Sequence, residues 1–495
     1  MKKAGVVARF AFAAALLTCA CAPAPPRQTL RMVYPHELVT LDPHAHRDLV
    51  TRTVLSAVYE GLVRFDPGVP VRPWLADRWT NPDQRTWWIH IREGVLFHDG
   101  RLVTPADVVA SIERARSNPA LGGELEDIEI VRELASQPGM VEVKTTAPSP
   151  LLLAYLQMMA VVPRDFDPSQ PVGTGPYRWQ MGSPQGPLLL ERWDRYWGEA
   201  PDFDQVSIQF VPVLEELASL LHQGRVDCVA SVTVSYVAGH RPEAGWRVVS
   251  NPGGSTTYLV LNVAHPPFDD LRVRAAVDQA IDRHAIVERV FPRGTVEPAR
   301  SLVPPEVFGY GGEPAALPPA EDAATPIAAP RGADGSPLFL DYSNRYPPFV
   351  DFLVQALDGV GLQVEPRSLP YEDLYHRIET GGSRIYVFSW HFLVADALPF
   401  LNALIHSRDP LTGMGRFNGA DFSDPEVDAE IVAAAREPLS EVRLDHLRQA
   451  LARTSEAHVY LPLLRPQALA LVRNSLTIEP VPGPLARPQD VHLVK

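Results

Sequence analysis

The chain is poor in cysteine: of 495 residues only three are Cys, and beyond Cys19 and Cys21 the sole one is Cys228, in the apolar setting Val226-Asp227-Cys228-Val229. A disulfide framework is therefore excluded, and a chain of a few hundred residues does not need one, because it buries enough surface to be stable on packing alone. Membrane-length apolar runs are missing near the start, where Phe10 to Leu17 falls well short of the roughly 20 residues a spanning helix needs. Basic residues are in deficit: 45 Lys and Arg stand against 59 Asp and Glu, a formal charge of −14. Nucleic acid is thereby excluded as a partner, since phosphate binding needs clustered cations. Absent too are a His-Glu-x-x-His zinc helix, a Gly-x-Ser-x-Gly elbow and a Gly-Lys-Ser/Thr phosphate loop. Nothing singles out a nucleophile within reach of a base, so the chain is expected to be no enzyme and to carry no cofactor.

What is present begins with Lys2, Lys3 and Arg9 ahead of the short Ala- and Leu-rich core Phe10 to Leu17, the pattern of a signal peptide over residues 1–21. The core ends in Leu16-Leu17-Thr18-Cys19-Ala20-Cys21. A Cys at that place, followed by Ala22-Pro23-Ala24-Pro25-Pro26, resembles a bacterial lipobox, in which the Cys becomes the acylated first residue of the mature chain. Ala20 favours Cys21 for that role; Leu16, three places before Cys19, favours the alternative. The plainer reading is an ordinary cleaved signal peptide with incidental cysteines. Residues 22–29 then form a flexible tether, and the protein is expected in the periplasm or otherwise outside the cytoplasmic membrane, held there by its N-terminal lipid. Without Lys2, Lys3 and Arg9 the 45 basic residues become 42 against 59 acidic ones, a charge near −17. The 50 prolines, about double ordinary usage, imply many rigid loops.

Past the tether, short β-like runs alternate with helical ones. Leu30 to Tyr34 and the aromatic, β-branched run Thr86 to Arg92 read as strands, and Leu49 to Glu60 as a helix. Thr104-Pro105-Ala106-Asp107 opens a helix with an N-cap Thr, a Pro at the first helical position and an acid in the first turn. Asp270 to Val290 reads as one amphipathic helix, with Val273, Ala276, Val277, Ala280, Ile281 and Ile286 at three- and four-residue spacing. Asp351 to Leu362 is another. Glu313 to Pro337 is crowded with Ala and Pro and reads as an exposed loop. The pattern is mixed α/β, and the length calls for two or three domains.

Several segments together resemble the family 5 extracytoplasmic solute-binding proteins of ABC importers, which include dipeptide, oligopeptide and nickel receptors. They run nearly end to end: Leu41-Asp42-Pro43-His44, Tyr59-Glu60-Gly61-Leu62, Pro73-Trp74-Leu75-Ala76-Asp77-Arg78-Trp79, and the diagnostic Ile91-Arg92-Glu93-Gly94-Val95-Leu96-Phe97-His98-Asp99-Gly100. Gly173-Thr174-Gly175-Pro176-Tyr177, Tyr196-Trp197-Gly198, Gly224-Arg225-Val226-Asp227, Pro267-Phe268-Asp269-Asp270 and Ala280-Ile281-Asp282-Arg283 follow in order. Each is weak alone; their number and spacing carry the resemblance. Gly173, Gly175 and Pro176 suit a tight crossing loop, and His98, beside the Asp99-Gly100 turn, reads as a structural histidine.

The resemblance implies a periplasmic-binding-protein type II fold, two α/β lobes joined by a hinge, with an extra α/β domain inserted in the first. Lobe I would take 30–66, 171–261 and 466–495, the extra domain 67–170 and lobe II 262–465, with crossovers near Leu261-Asn262 and Arg465. A ligand touching both lobes binds the closed form better and so shifts the population toward closure, which the importer reads. The implied function is capture of a small solute, peptide-like by preference, by a monomer that hands it to the importer's permease subunits. In the family's peptide receptors a Trp of the second lobe is followed three places later by an Asp that pairs with the ligand's amino group. Aligned on Trp390 and Phe400-Leu401, that position here is Leu393, and Asp396 falls on a second, less direct acid. A buried ammonium without a carboxylate loses several kcal/mol, so Leu393 weakens an α-amine grip unless a local shift brings Asp396 into the role. His46 and Arg47 in one cleft loop, Tyr258, Trp390 and His391 are the other expected wall residues, with core or rim packing the alternative for each. His44, His46 and His391 invite a metal-chelate reading that the His44-Ala45-His46 spacing does not carry by itself, and no metal site is assigned. Opines and oligosaccharides are further alternatives, as is a lipid-tethered sensor, chaperone or adhesin that has lost transport. The loop 313–337 stands where the family has a helix, so lobe II is expected to be trimmed there.

Overall fold

The computed structural model describes residues 28–66, 69–212, 214–240, 242–314, 337–344, 349–438, 441–479, 483 and 485–494. The signal peptide, both candidate acylation sites, Cys19 and Cys21, and nearly all of the Ala/Pro loop lie outside them. Among the described residues no helix is long and apolar enough to cross a membrane.

The strand Thr29–Tyr34 alternates partly and fully buried side chains over its first half. It pairs in parallel with Gln205–Phe210 on one side and, through Met32 and Val33, with Cys228–Val229 on the other. Cys228 is consequently an interior residue whose thiol burial pushes upward, away from reactivity. The helix expected from Leu49 ends at Leu55. Beyond it the chain leaves the helical path because the carbonyls of Ala57 and Val58 accept from the amides of Tyr177 and Gly175 at 3.0 and 2.9 Å. Gly173 and Gly175 are required there for space rather than for unusual dihedrals: a Cβ would stand 2.0 Å from the Val58 carbonyl and 2.5 Å from that of Ala57.

A separate antiparallel sheet of four strands, ordered Ala76–Thr80, Thr86–Ile91, Met140–Thr145, Ile128–Glu133, forms a small body of its own. The helix Pro105–Arg116 backs it with Val108, Ile112 and Ala115, and starts with the expected capping box between Thr104 and Asp107. A third body packs around Ser255–Leu261, Ile385–His391 and the helices Pro425–Arg436 and Glu441–Glu456.

The amphipathic stretch 270–290 is two helices, Leu271–Ala280 and Arg283–Val290, not one. Ile281 turns extended, and Asp282 caps the second helix by accepting from the Ala285 amide at 2.9 Å. Arg283 is thereby turned inward, donating to the Pro462 carbonyl at 2.6 Å. Both helices keep the apolar spacing, which is why the break is hidden in the pattern.

The long strand Tyr460–Arg473 ties the first and third bodies into one sheet. Its first half pairs with Ser255–Leu261 and its second with Trp246–Pro252. The partner strand therefore changes at Gly253-Gly254, where a Cβ on Gly253 would meet the Pro466 carbonyl at 2.3 Å and Gly254 has φ of +67°. This moves the first crossover upstream of the expected Leu261-Asn262, because Ser255–Leu261 is hydrogen-bonded to Ile385–His391 along its whole length. On the long strand the change of partner falls at Arg465-Pro466.

Candidate functional site

A cavity of about 270 Å³ opens where the three bodies meet. This is close to the lower end of the roughly 300–1,000 Å³ usual for small-ligand sites. The first body supplies His46, Arg64 and, from the helix Leu49–Leu55, Arg52 and Thr53; the small body supplies Trp74 and Met158. Gly253 and Gly254 stand at the crossing, Glu306, Val307 and the run His391–Leu393 on the far side, and Arg487 to Asp490 close one end.

Two polar clusters bolt the near walls together. The Glu60 carboxylate accepts from Trp74 Nε1 and Tyr196 Oη at 2.8 Å on one oxygen, and from Thr174 Oγ1 at 2.8 Å and Trp197 Nε1 at 3.0 Å on the other. Burial raises this carboxyl above its ordinary range, and the four donors oppose that rise. Nearby, Arg114 of the small body grips Asp42 with both terminal nitrogens, at 2.8 and 2.5 Å. The same guanidinium meets His44 Nδ1 at 2.8 Å while His44 Nε2 donates to the Ala160 carbonyl at 2.8 Å. With both ring nitrogens engaged and burial lowering it to about 4, His44 is a neutral structural histidine. His98 is another, bonding the Gly175 carbonyl through Nε2 at 2.9 Å and lowered by burial to about 4.

The residues expected at the wall divide sharply. His46, His391 and Leu393 line the cavity. His46 is buried and bonds the Asp48 carbonyl through Nδ1 at 3.2 Å; His391 stands open to the cleft, and the enclosing walls lower both imidazoles by desolvation. Leu393 is 62% exposed, a large apolar side chain offered to the cleft. Arg47 points elsewhere, donating to the Ala120 carbonyl at 2.7 Å and pairing with Glu124 at 3.0 Å. Tyr258 is a core residue: it is fully buried, its hydroxyl donates to the Leu302 carbonyl at 2.5 Å, and its ring stacks on Phe400. Trp390 packs its ring against Phe400 as part of the same core.

The expectation that Asp396 could reach a ligand amine is corrected. Asp396 is 1% exposed, and both carboxylate oxygens are taken by Arg443 at 2.8 Å, with the Leu398 amide adding a third bond. A side chain so paired ties the 391–401 segment to the helix Glu441–Glu456 and has nothing left for solute. Among the described residues no group of three or more His, Cys, Asp and Glu is arranged to hold a metal ion.

Sequence reasoning missed the charged residues that line the cavity, and two of these, Arg52 and Glu306, face it from opposite sides. The Arg52 guanidinium hydrogen-bonds the Met158 sulfur, at 3.5 Å, and has no carboxylate within ion-pair distance among the described residues. Glu306 is 8% exposed and likewise has no cation within that distance; burial pushes its carboxyl up, while its own amide and that of Gly254 partly compensate. Neither lies in a motif, and the only available signal was Arg52's place just after the cleft loop that carries His46 and Arg47.

The model of the bacterial extracellular solute-binding proteins, family 5 (middle region), matches residues 70–410. The glutathione-binding protein GsiB of Salmonella paratyphi A is 26% identical over 433 residues, covering 82% of this chain and 83% of the relative. Among solved structures, the unliganded open form of the murein tripeptide-binding protein MppA superposes with a TM-score of 0.77 at 20% identity, over 95% of this chain and 98% of the other. DppA of Helicobacter pylori, in complex with the peptide STSA, does so with a TM-score of 0.65 at 20% identity, over 95% and 99%. These structures share the type II periplasmic-binding fold.

Proposed function

The chain belongs to the bacterial extracellular solute-binding proteins of family 5, and from that membership we propose that its cavity captures a peptide-like solute for an ABC importer. The observation that carries this reading is the construction of the cleft: facing walls joined by two chain crossings, Gly253-Gly254 and Arg465-Pro466, which leave the lobes free to close on a shared ligand. The relatives bind glutathione, a murein tripeptide and the peptide STSA, and they set peptide-like solutes ahead of opines, oligosaccharides and nickel chelates. We take residues 30–66, 171–252 and 466–495 as lobe I, 67–170 as the extra domain and 253–465 as lobe II. His46, His391 and Leu393 are assigned to the ligand surface because they border the cavity. No catalytic residue is assigned in this proposal.

Thermal unfolding against glutathione, short peptides, oligosaccharides and nickel–histidine tests the assignment. A ligand at one hundred times its Kd stabilises by about 2.7 kcal/mol, a readable shift. Response to peptides is expected; response only to the others would replace the ligand class, and silence to all of them would favour the non-transport reading. The lipid anchor at Cys21, or alternatively Cys19, rests on the sequence alone. Metabolic labelling with palmitate should be lost in Cys21→Ser and kept in Cys19→Ser; the reverse would exchange them, and no labelling of the wild type would leave a plain cleaved signal.

A further inference from the structure

Two charges of opposite sign face the cavity from opposite lobes, and neither has an ionic partner among the described residues. Arg52 stands on the lobe I wall, on a helix pinned at its start by Asp48, whose carboxylate accepts from the Thr51 amide at 2.7 Å. Its neighbours Glu124 and Asp48 influence it only through space. Glu306 stands on the lobe II wall, in a segment fixed beside the 391–397 run: the Phe308 amide donates to the Ala395 carbonyl at 2.9 Å, and the Ala397 amide to that of Phe308 at 3.0 Å. An arginine that could have neutralised Glu306, Arg465, is instead committed to Glu313 and Ser301.

Burying a carboxylate without a cation is unfavourable by several kcal/mol. Native structures keep such groups where a ligand supplies the missing charge. We propose that the cleft takes a zwitterionic solute in a set direction: a primary ammonium on Glu306 of lobe II and a carboxylate on Arg52 of lobe I. The guanidinium fork suits a carboxylate, which it can hold with two parallel bonds. Glu306 does the work that Leu393 and the sealed Asp396 cannot. A cavity of about 270 Å³ suits a short peptide or comparable small zwitterion rather than a long chain. Because the two charges belong to different lobes, one ligand satisfies both only by bridging them, which couples binding to closure. The proposal rests on the peptide-like reading above and makes it directional.

The test uses the full chain, purified in detergent, and calorimetric titration with a tripeptide library offered in three forms: free, N-acetylated and C-amidated. The wild type should bind the free library at least tenfold more tightly than either blocked form. Glu306→Gln should abolish the preference for a free N-terminus and leave that for a free C-terminus; Arg52→Gln should do the opposite. If N-acetylated and free libraries bind the wild type equally, or Glu306→Gln keeps the discrimination, the assignment of the ends is overturned while peptide binding stands. If no form of the library binds, the peptide reading fails and this assignment fails with it. The wild-type comparison needs no variant, so misfolding of either substitution leaves the proposal falsifiable.

Discussion

Glu60 and Glu306 are both buried, both border the same cavity and both have carboxyls pushed up by burial. They differ in company. Glu60 accepts four bonds, two on each oxygen, from Trp74, Thr174, Tyr196 and Trp197. Glu306 meets backbone amides and feels Arg465 only through space, with no cation in ion-pair contact among the described residues. Asp396, sealed against Arg443, marks the fully paired extreme. A buried acid whose lone pairs are filled by the protein holds the protein together; one left with an uncompensated charge is available to something else. Position beside a cleft therefore does not separate architecture from site, whereas hydrogen-bond accounting does.

The contrast can be broken by removing the acids in turn. Asp396→Ala leaves the buried Arg443 guanidinium without its carboxylate, and should destabilise by about 3–5 kcal/mol, read as a lower midpoint in urea. A loss under about 1 kcal/mol would mean that water reaches Arg443. Glu60→Gln keeps the shape but sets an NH₂ group against two of the four donors. A hydroxyl turns to accept from it, and an indole N–H cannot. One tryptophan is left unpaired at a cost of about 1–3 kcal/mol, visible by denaturation and as altered Trp fluorescence, without a selective effect on peptide ends. Glu306→Gln has the smallest expected effect on the fold. A carboxyl raised by burial penalises the ionised folded state at neutral pH, so stability should stay within about 0.5 kcal/mol or rise. A loss comparable to that of Glu60→Gln would show that Glu306 is structural and erase the distinction.

Much of the scaffold was readable because its signals are local. The strand at Thr86, the capped helix after Thr104 and the glycines at 173 and 175 each follow from a few adjacent residues. The motif fragments carried the family resemblance. Their purpose was not legible one by one: Glu60, Trp74, Thr174 and Trp197 lie in four separate segments, 114 residues apart between Glu60 and Thr174, and converge on one carboxylate. The errors share a cause. The break at Ile281-Asp282 preserves apolar spacing, so periodicity alone passes over it. Tyr258 and Asp396 carry the residue types of a binding wall, yet the types do not reveal that Leu302 and Arg443 stand waiting to bond them in the interior.

Order of motifs and short-range capping thus sufficed for family and fold class, because each depends on the kinds of residue present or on neighbours within one turn. Which charges remain unpaired depends on long-range proximity, and proximity between segments hundreds of residues apart is a property of packing. Arg52 and Glu306 became visible only once the folded chain had brought both to one cavity with no ion-pair partner for either among the described residues.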